Sequence, residues 1–282
     1  MTMHEAAPDD WQIHVLEYAR SHNQPIASLL FGAFDAGTIN LPFAFVMVRG
    51  FGRTVLIDTG FMCEGHGTHM ADRYGVREWI SPLRLLAEIG VAPEQITDII
   101  VTHAHYDHIG AIEQFPAAHI YLQKNELLSW IEVMALPREF SFLTDIIDPA
   151  DIHNALRAAE QHRLTLLNGD TENVLPGISV RLGVGHTFGQ QFAIISTGDG
   201  AYVVSGDCVF TKTNLTGPRN DGTYLPLGAG IGSTLDQLKT MHRIREAVNG
   251  DLDRVITLHD FARWEKLTMV KEVDGFRIIK VK

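Results

Sequence analysis

Thr102-His103-Ala104-His105-Tyr106-Asp107-His108-Ile109-Gly110 places four metal-capable side chains within six positions. The stretch before it, Ile96-Thr97-Asp98-Ile99-Ile100-Val101, is short, β-branched and apolar, which predicts a buried strand. The cluster therefore starts where a strand ends, and a rigid scaffold holds ligands on loops of that kind. His103 and His105 stand two apart in extended chain, so they point the same way and can grip one ion. Asp107 and His108 follow as the chain turns and can grip a second. Imidazole nitrogen and carboxylate oxygen suit zinc, iron, manganese or cobalt.

One cluster cannot fill two coordination shells, and three other places repeat its pattern of an apolar run ending in a polar ligand type. His186 lies in Gly185-His186-Thr187-Phe188-Gly189, after the predicted strand Ile178–Leu182. Asp207 lies in Ser205-Gly206-Asp207-Cys208, after Ala201–Val204. His259 follows Arg254–Thr257. In this order the residues resemble the metallo-β-lactamase superfamily, from Leu56-Ile57-Asp58-Thr59-Gly60 to His259. Within it the chain resembles the dinuclear hydrolases, above all the N-acyl-homoserine-lactone lactonases.

The resemblance implies that His103, His105 and His186 hold one metal and Asp107, His108 and His259 the other, with Asp207 bridging them. It implies two zinc ions, with iron, manganese or cobalt as alternatives. Asp58 becomes an acceptor that orients a ligand histidine. Two bridged ions make hydroxide available at neutral pH, and its attack on a carbonyl would open a lactone ring. Asp107 or Asp207 would then return a proton to the leaving group. One position departs from the lactonase pattern. Where those enzymes carry a tyrosine three residues after the bridging aspartate, this chain has Phe210, a ring without a donor. Either the metal does that work alone, or Tyr224 or Tyr106 supplies the donor, or the substrate is another lactone, a cyclic amide or imide, or an aromatic ester.

Rival chemistries can be set against the same residues. A flavodiiron oxygen reductase would carry Glu in place of His105, and a mononuclear-iron sulfur dioxygenase would need fewer of these ligands. A thioesterase of glyoxalase II type shares the ligand set, but its relatives add a helical domain, whereas this sequence ends soon after His259. A non-catalytic sensor on the same fold would not need all seven ligands. Phe61, Met62, Trp79, the 126–142 stretch and the 217–232 loop are the expected pocket walls, mostly apolar, for a neutral and moderately hydrophobic small molecule.

The 282 residues are 45% hydrophobic and 20% charged, enough for a large core. Ligands spread from 103 to 259 must meet in space, which favours one domain over 1–282. The net charge of −11 argues against a nucleic-acid surface, and no apolar stretch is long enough to span a membrane. Met1 to Asp10 lacks the layout of a signal peptide. Cys63 and Cys208 form no disulfide framework, so reduced thiols in a cytoplasmic protein are expected, with Cys208 turned into packing. A homodimer is compatible with the sequence.

Early strands are predicted at Ile13–Tyr18, Ala44–Val48 and Val55–Ile57. Helices are predicted at 78–89, Lys124–Met134, Asp151–His162 and Ser233–Val248, the last stopped by Asn249-Gly250. The 124–163 region reads as a helical insertion over the site. Strands alternating with helices, with ligands at strand tips, fit an α/β architecture. The resemblance makes it a four-layer αβ/βα sandwich.

Overall fold

Alternation along the early strands divides their side chains between two cores. In Gln12–Pro25 (β1), Ile13 and Val15 face one side and Leu16 and Tyr18 lie in the core on the other. A strand buried on both faces reads as an apolar run rather than an alternation. The structure, a computed structural model, describes residues 10–282. The reading of Met1 to Asp10 as a start without a signal peptide therefore lies almost wholly outside the described residues.

The remaining strands are Thr38–Gly50 (β2), Arg53–Ile57 (β3), Val76–Trp79 (β4), Asp98–Ile100 (β5), His119–Gln123 (β6) and Leu164–Leu167 (β7). They continue with Thr171–Leu175 (β8), Ile178–Leu182 (β9), Gln191–Thr197 (β10), Gly200–Val204 (β11), Val255–Ile256 (β12), Thr268–Val273 (β13) and Phe276–Lys280 (β14). Among the described residues one sheet runs β13-β14-β1-β2-β3-β5-β6-β7, with β4 also paired to β1. The other runs β12-β11-β10-β9-β8. β3, β5, β6 and β7 are mutually parallel, as are β11 and β12.

The sheets face each other across Val15, Val46, Val55, Ile57 and Ile100 from the first and Val180, Ala193, Ile195, Val204 and Ile256 from the second. Each fully buried aliphatic side chain there contributes roughly 1.5–3 kcal/mol. Behind the first sheet, Leu85, Leu86, Leu127, Trp130 and Ile152 pack from helices onto Leu16, Phe45, Met47 and Ile99. Behind the second, Met241 and Ile244 of the helix Thr234–Ala247 pack onto Phe192 and Val203. The result is the expected αβ/βα sandwich. No helix among the described residues is long and apolar enough to cross a membrane.

Two local expectations need correction. The helix expected over 78–89 begins only at Pro82 and runs to Glu88. Proline holds Ser81 extended, at ψ 130, so no helix can enter from Glu78. Val76–Trp79 instead pairs with β1, Trp79 opposite Ala19. The 124–163 region does carry the helices Lys124–Met134 and Pro149–Glu160, the second beginning at Pro149 with Asp148 as its cap. They are the crossover between the parallel strands β6 and β7, and they bury Leu127, Trp130, Ile152 and Ala155 on the sheet. The region therefore serves mainly as core, and only Ile146 from it lines the cavity described below.

Candidate metal centre

The parallel strands aim their carboxyl ends at one edge of the sandwich. Asp58 follows β3, the His103–His108 cluster follows β5, Asp207 follows β11 and His259 follows β12, while His186 sits in the turn from β9 to β10. Asp207 rides on a tight turn that passes hard against Thr102. Its neighbour Gly206 has φ +50, and a Cβ there would lie 2.7 Å from the Thr102 Cβ.

Ligand atoms of His103, His105, His186 and Asp207 lie within 4.8 Å of one another, and so do those of Asp107, His108 and His259. Asp207 stands between the two groups. Its Oδ2 is 3.3 Å from His186 Nε2 and 3.8 Å from His103 Nε2, whereas its Oδ1 is 3.1 Å from His259 Nε2 and 3.3 Å from His108 Nε2. Asp107 Oδ2 is 3.4 Å from His108 Nε2 and 3.9 Å from His259 Nε2. All seven side chains are buried. So much buried polarity in one place is costly unless its groups are paired or coordinate a metal.

The outer ring nitrogens decide what faces inward. His108 Nδ1 donates to Asp58 Oδ2 at 2.7 Å, His259 Nδ1 to the Pro42 carbonyl at 2.7 Å and His186 Nδ1 to the Ala229 carbonyl at 3.1 Å. Thr102 Oγ1 gives its own proton to Asp58 Oδ2, so at 3.0 Å it accepts from His103 Nδ1. With these Nδ1–H bonds made, each neutral ring turns an Nε2 lone pair inward, as a metal ligand must. His103 Nε2, His105 Nδ1 and His186 Nε2 then converge, the first two 2.9 Å apart and the last two 3.1 Å apart. His103 and His186 thus direct Nε2 lone pairs at one point, while no bond on the outer side of the His105 ring fixes its tautomer, since His105 Nε2 has no partner among the described residues. Among the described residues His108 Nε2 and Asp207 Oδ1 have no hydrogen-bond partner. The donor set fits two cations.

Electrostatics separates the two halves. Burial, with the neighbouring histidines, holds His103 and His105 well below the usual imidazole range. Burial would lower His108 and His259 too, but Asp207 and Asp107 outweigh it and raise both. Asp207 is held well below the carboxylate range, as His108 and His259 overcome its own burial.

Asp58 is placed by strain and held by three bonds. It adopts φ +63, rare for a residue other than glycine, and accepts from the Thr102 backbone N–H at 2.7 Å, from Thr102 Oγ1 and from His108. Burial raises its carboxyl against the opposing pull of His108. Asp58→Asn would offer an amide N–H where an acceptor is needed and disturb the His108 tautomer. The expected outcome is a 10–100-fold loss of affinity at one of two metal sites, read by chelator competition.

Glu126 was not legible as part of this site. Fully buried, it accepts from the Ala104 N–H at 3.0 Å and Trp130 Nε1 at 2.8 Å through Oε1. Through Oε2 it accepts from Thr187 Oγ1 and the Gly189 N–H, both at 2.7 Å. Ala104 lies between His103 and His105, and Thr187 follows His186, so one carboxylate ties together both loops of the first group. At Gly189 a Cβ would come within 2.2 Å of the Glu126 nitrogen, so only glycine permits this approach. In the sequence Glu126 looks like an ordinary acid in the first turn of a helix.

Over the two groups lies a cavity of about 180 Å³ whose wall includes Asp107, Asp207, His259, Phe210, Tyr106 and Ile146. Larger clefts, such as the one of about 540 Å³ beside Arg73 and Arg138, contain none of the clustered ligands. Several expected pocket residues are elsewhere. Phe61 is core, in contact with the rings of Tyr18 and Tyr106, and Trp79 donates to its carbonyl at 3.2 Å. Met62 faces a separate cleft with Glu64 and Asp151. Tyr224 bonds His242 Nδ1 at 3.2 Å beside the helix behind the second sheet. Arg219 is exposed and paired with Asp221. Phe210 and, from the 217–232 loop, Ala229 do line the cavity, and further walls come from β1, β2 and their connection, through Ser21, Leu29, Leu41 and Phe43. Cys208 packs behind the second sheet, its thiol 3.5 Å from the Gly183 carbonyl.

Comparison with known proteins agrees with this geometry. The chain is 24% identical over 249 residues to the N-acyl homoserine lactonase AiiB of Agrobacterium fabrum, covering 84% of this chain and 86% of that protein. It is 26% identical over 232 residues to an N-acyl homoserine lactonase of Bacillus cereus, covering 79% and 82%. The fold matches that of AidC, a dizinc quorum-quenching lactonase, with TM-score 0.67 at 20% identity over 97% of that chain and 99% of this one. The model of the metallo-β-lactamase superfamily matches residues 40–259, a span that takes in Asp58 and all seven clustered ligands. By that match the chain belongs to the metallo-β-lactamase superfamily.

Proposed function

We propose that the protein is a dinuclear metal-dependent hydrolase that opens the ring of a lactone, an N-acyl-homoserine lactone or a close relative. The observation that carries the proposal is Asp207, one oxygen directed to each histidine group. His103, His105 and His186 would hold one ion, Asp107, His108 and His259 the other, and Asp207 both. The mixed imidazole–carboxylate set favours zinc over harder cations, and a dizinc relative with the same fold supports that choice. When bound, such a pair supplies hydroxide at neutral pH and polarises an acyl oxygen.

The chain's own groups do the rest. Leu29, Leu41, Phe43, Ile146 and Phe210 receive an apolar substrate body and exclude water other than the attacking molecule. The oxygen of water bonds to the carbonyl carbon, the ring C–O bond breaks, and its electron pair leaves on the alkoxide. Asp107, buried in the cavity wall, takes the water proton and returns it to that alkoxide. The product is a hydroxy acid, which ionises. Two free thiols, Cys63 and Cys208, suit a reducing compartment and support a cytoplasmic location.

Proton release from weakly buffered zinc-loaded protein tests this directly. Acyl-homoserine lactones should acidify the solution, chelation should stop it, and restored metal should bring it back. Turnover of thioesters alone would assign the site to thioester hydrolysis. No turnover of lactones, imides or thioesters by protein holding two ions would overturn the hydrolase reading.

A further inference from the structure

Two hydroxyls in the cavity wall are not used by the metal ligands. Tyr106 is 2% exposed and Ser21 fully buried, and among the described residues neither oxygen has a hydrogen-bond partner. Both line the cavity with Asp107, Asp207 and His259. A buried hydroxyl without a partner forfeits its hydration, so the fold keeps one only where something returns the bond. The neighbouring walls Leu29, Leu41, Phe43 and Phe210 cannot do so. The cavity wall thus carries two hydroxyls whose hydrogen bonds no protein group supplies among the described residues.

Tyr106 is the one beside the reacting centre, between His105 and Asp107 in the chain. Its position is firmly held. The backbone N–H donates to the Ile146 carbonyl at 3.2 Å, and the ring lies 5.0 Å from Phe61 and stacks on Tyr74 at 5.7 Å and 17°. Tyr74 spends its own hydroxyl on the Asp145 carbonyl at 3.2 Å, which leaves the Tyr106 proton free for a ligand.

We propose that the Tyr106 hydroxyl donates a hydrogen bond to the oxygen of the acyl carbonyl under attack, which makes Tyr106 a catalytic residue. This rests on the hydrolase reading above. As the water oxygen bonds to carbon, the carbonyl electron pair moves onto that oxygen, and it returns when the ring C–O bond breaks. Tyr106 transfers no proton. Its O–H bond to the oxygen strengthens as charge gathers there, the condition under which a donor accelerates a reaction.

Tyr106→Phe removes one oxygen atom and keeps the ring. In zinc-loaded protein kcat should fall about 10²-fold, near what loss of one such donor costs elsewhere. Metal content should stay at the wild-type level, and KM should change far less than kcat. Calorimetric titration with N-hexanoyl-homoserine, whose carboxylate offers the same acceptor, should show about fivefold weaker binding. Unchanged kcat and binding with metal retained would overturn the inference and leave the hydrolase reading intact, as would a loss of activity that merely tracks lost metal. A wild-type holoprotein that turns over no acyl compound overturns both.

Discussion

Asp207→Ala should deprive the protein of both metal ions at once. The carboxylate sends Oδ1 toward His108 and His259 and Oδ2 toward His103 and His186, so one substitution removes a ligand atom from each group. It also removes a negative charge from beside four buried imidazoles, and uncompensated positive charge in a buried site is costly. Elemental analysis after dialysis should fall from about two ions per chain to fewer than one, and kcat/KM should drop by about 10³-fold or more. His186→Ala is the control, since it belongs to one group only and should leave the second ion in place. Two ions retained after Asp207→Ala would refute the shared-carboxylate arrangement.

Glu126→Ala should produce the largest loss of stability. It leaves four donors without their acceptor, those of Ala104, Trp130, Thr187 and Gly189, in a place with no solvent. Each buried orphan costs roughly 1–3 kcal/mol, and relaxation recovers part of the sum. We expect a net loss of about 3–5 kcal/mol, which a chain of this size registers as roughly 10 °C in melting temperature. Glu126→Gln separates folding from positioning. Its shape is kept, but one pair of donors faces an NH₂ group instead of an oxygen. That variant should remain folded while metal affinity falls at the site of His103, His105 and His186, leaving the other site near its wild-type affinity. Equal weakening of both sites would show that Glu126 supports the sandwich generally rather than these two loops.

The metal cluster was legible because coordination chemistry is local. His103, His105, Asp107 and His108 announce themselves by residue type and spacing, and His186, Asp207 and His259 by their places after apolar runs that do form β9, β11 and β12. The helix Thr234–Ala247 was legible for the same reason. Ser233 caps it, and Asn249 and Gly250 stop it at φ +50 and +80. Where a pattern was ambiguous, the local reading failed. Trp79 and Ile80 fit helical spacing with the residues after Pro82, yet pairing of β4 with β1 decided their conformation. Thr268–Val273 carries almost no burial pattern because it forms the edge strand β13, whose exposed side chains impose no alternation.

By itself the sequence determined the alternating strands and helices, and it singled out the candidate ligands by residue type and spacing. Tertiary structure alone decided the part of the cavity wall that comes from β1 and β2, and the second layer of support. Ser21, Leu41 and Phe43 reach the site because β1 and β2 lie in the middle of the sheet, and Glu126 because its helix crosses directly behind the ligand loops. Phe61, three residues after Asp58, turns into the core instead, and Trp79 packs against it. The physical reason is the range of each constraint. Periodicity and ligand chemistry act between neighbours in the chain, whereas a cavity wall or a buried carboxylate is set by where distant segments pack.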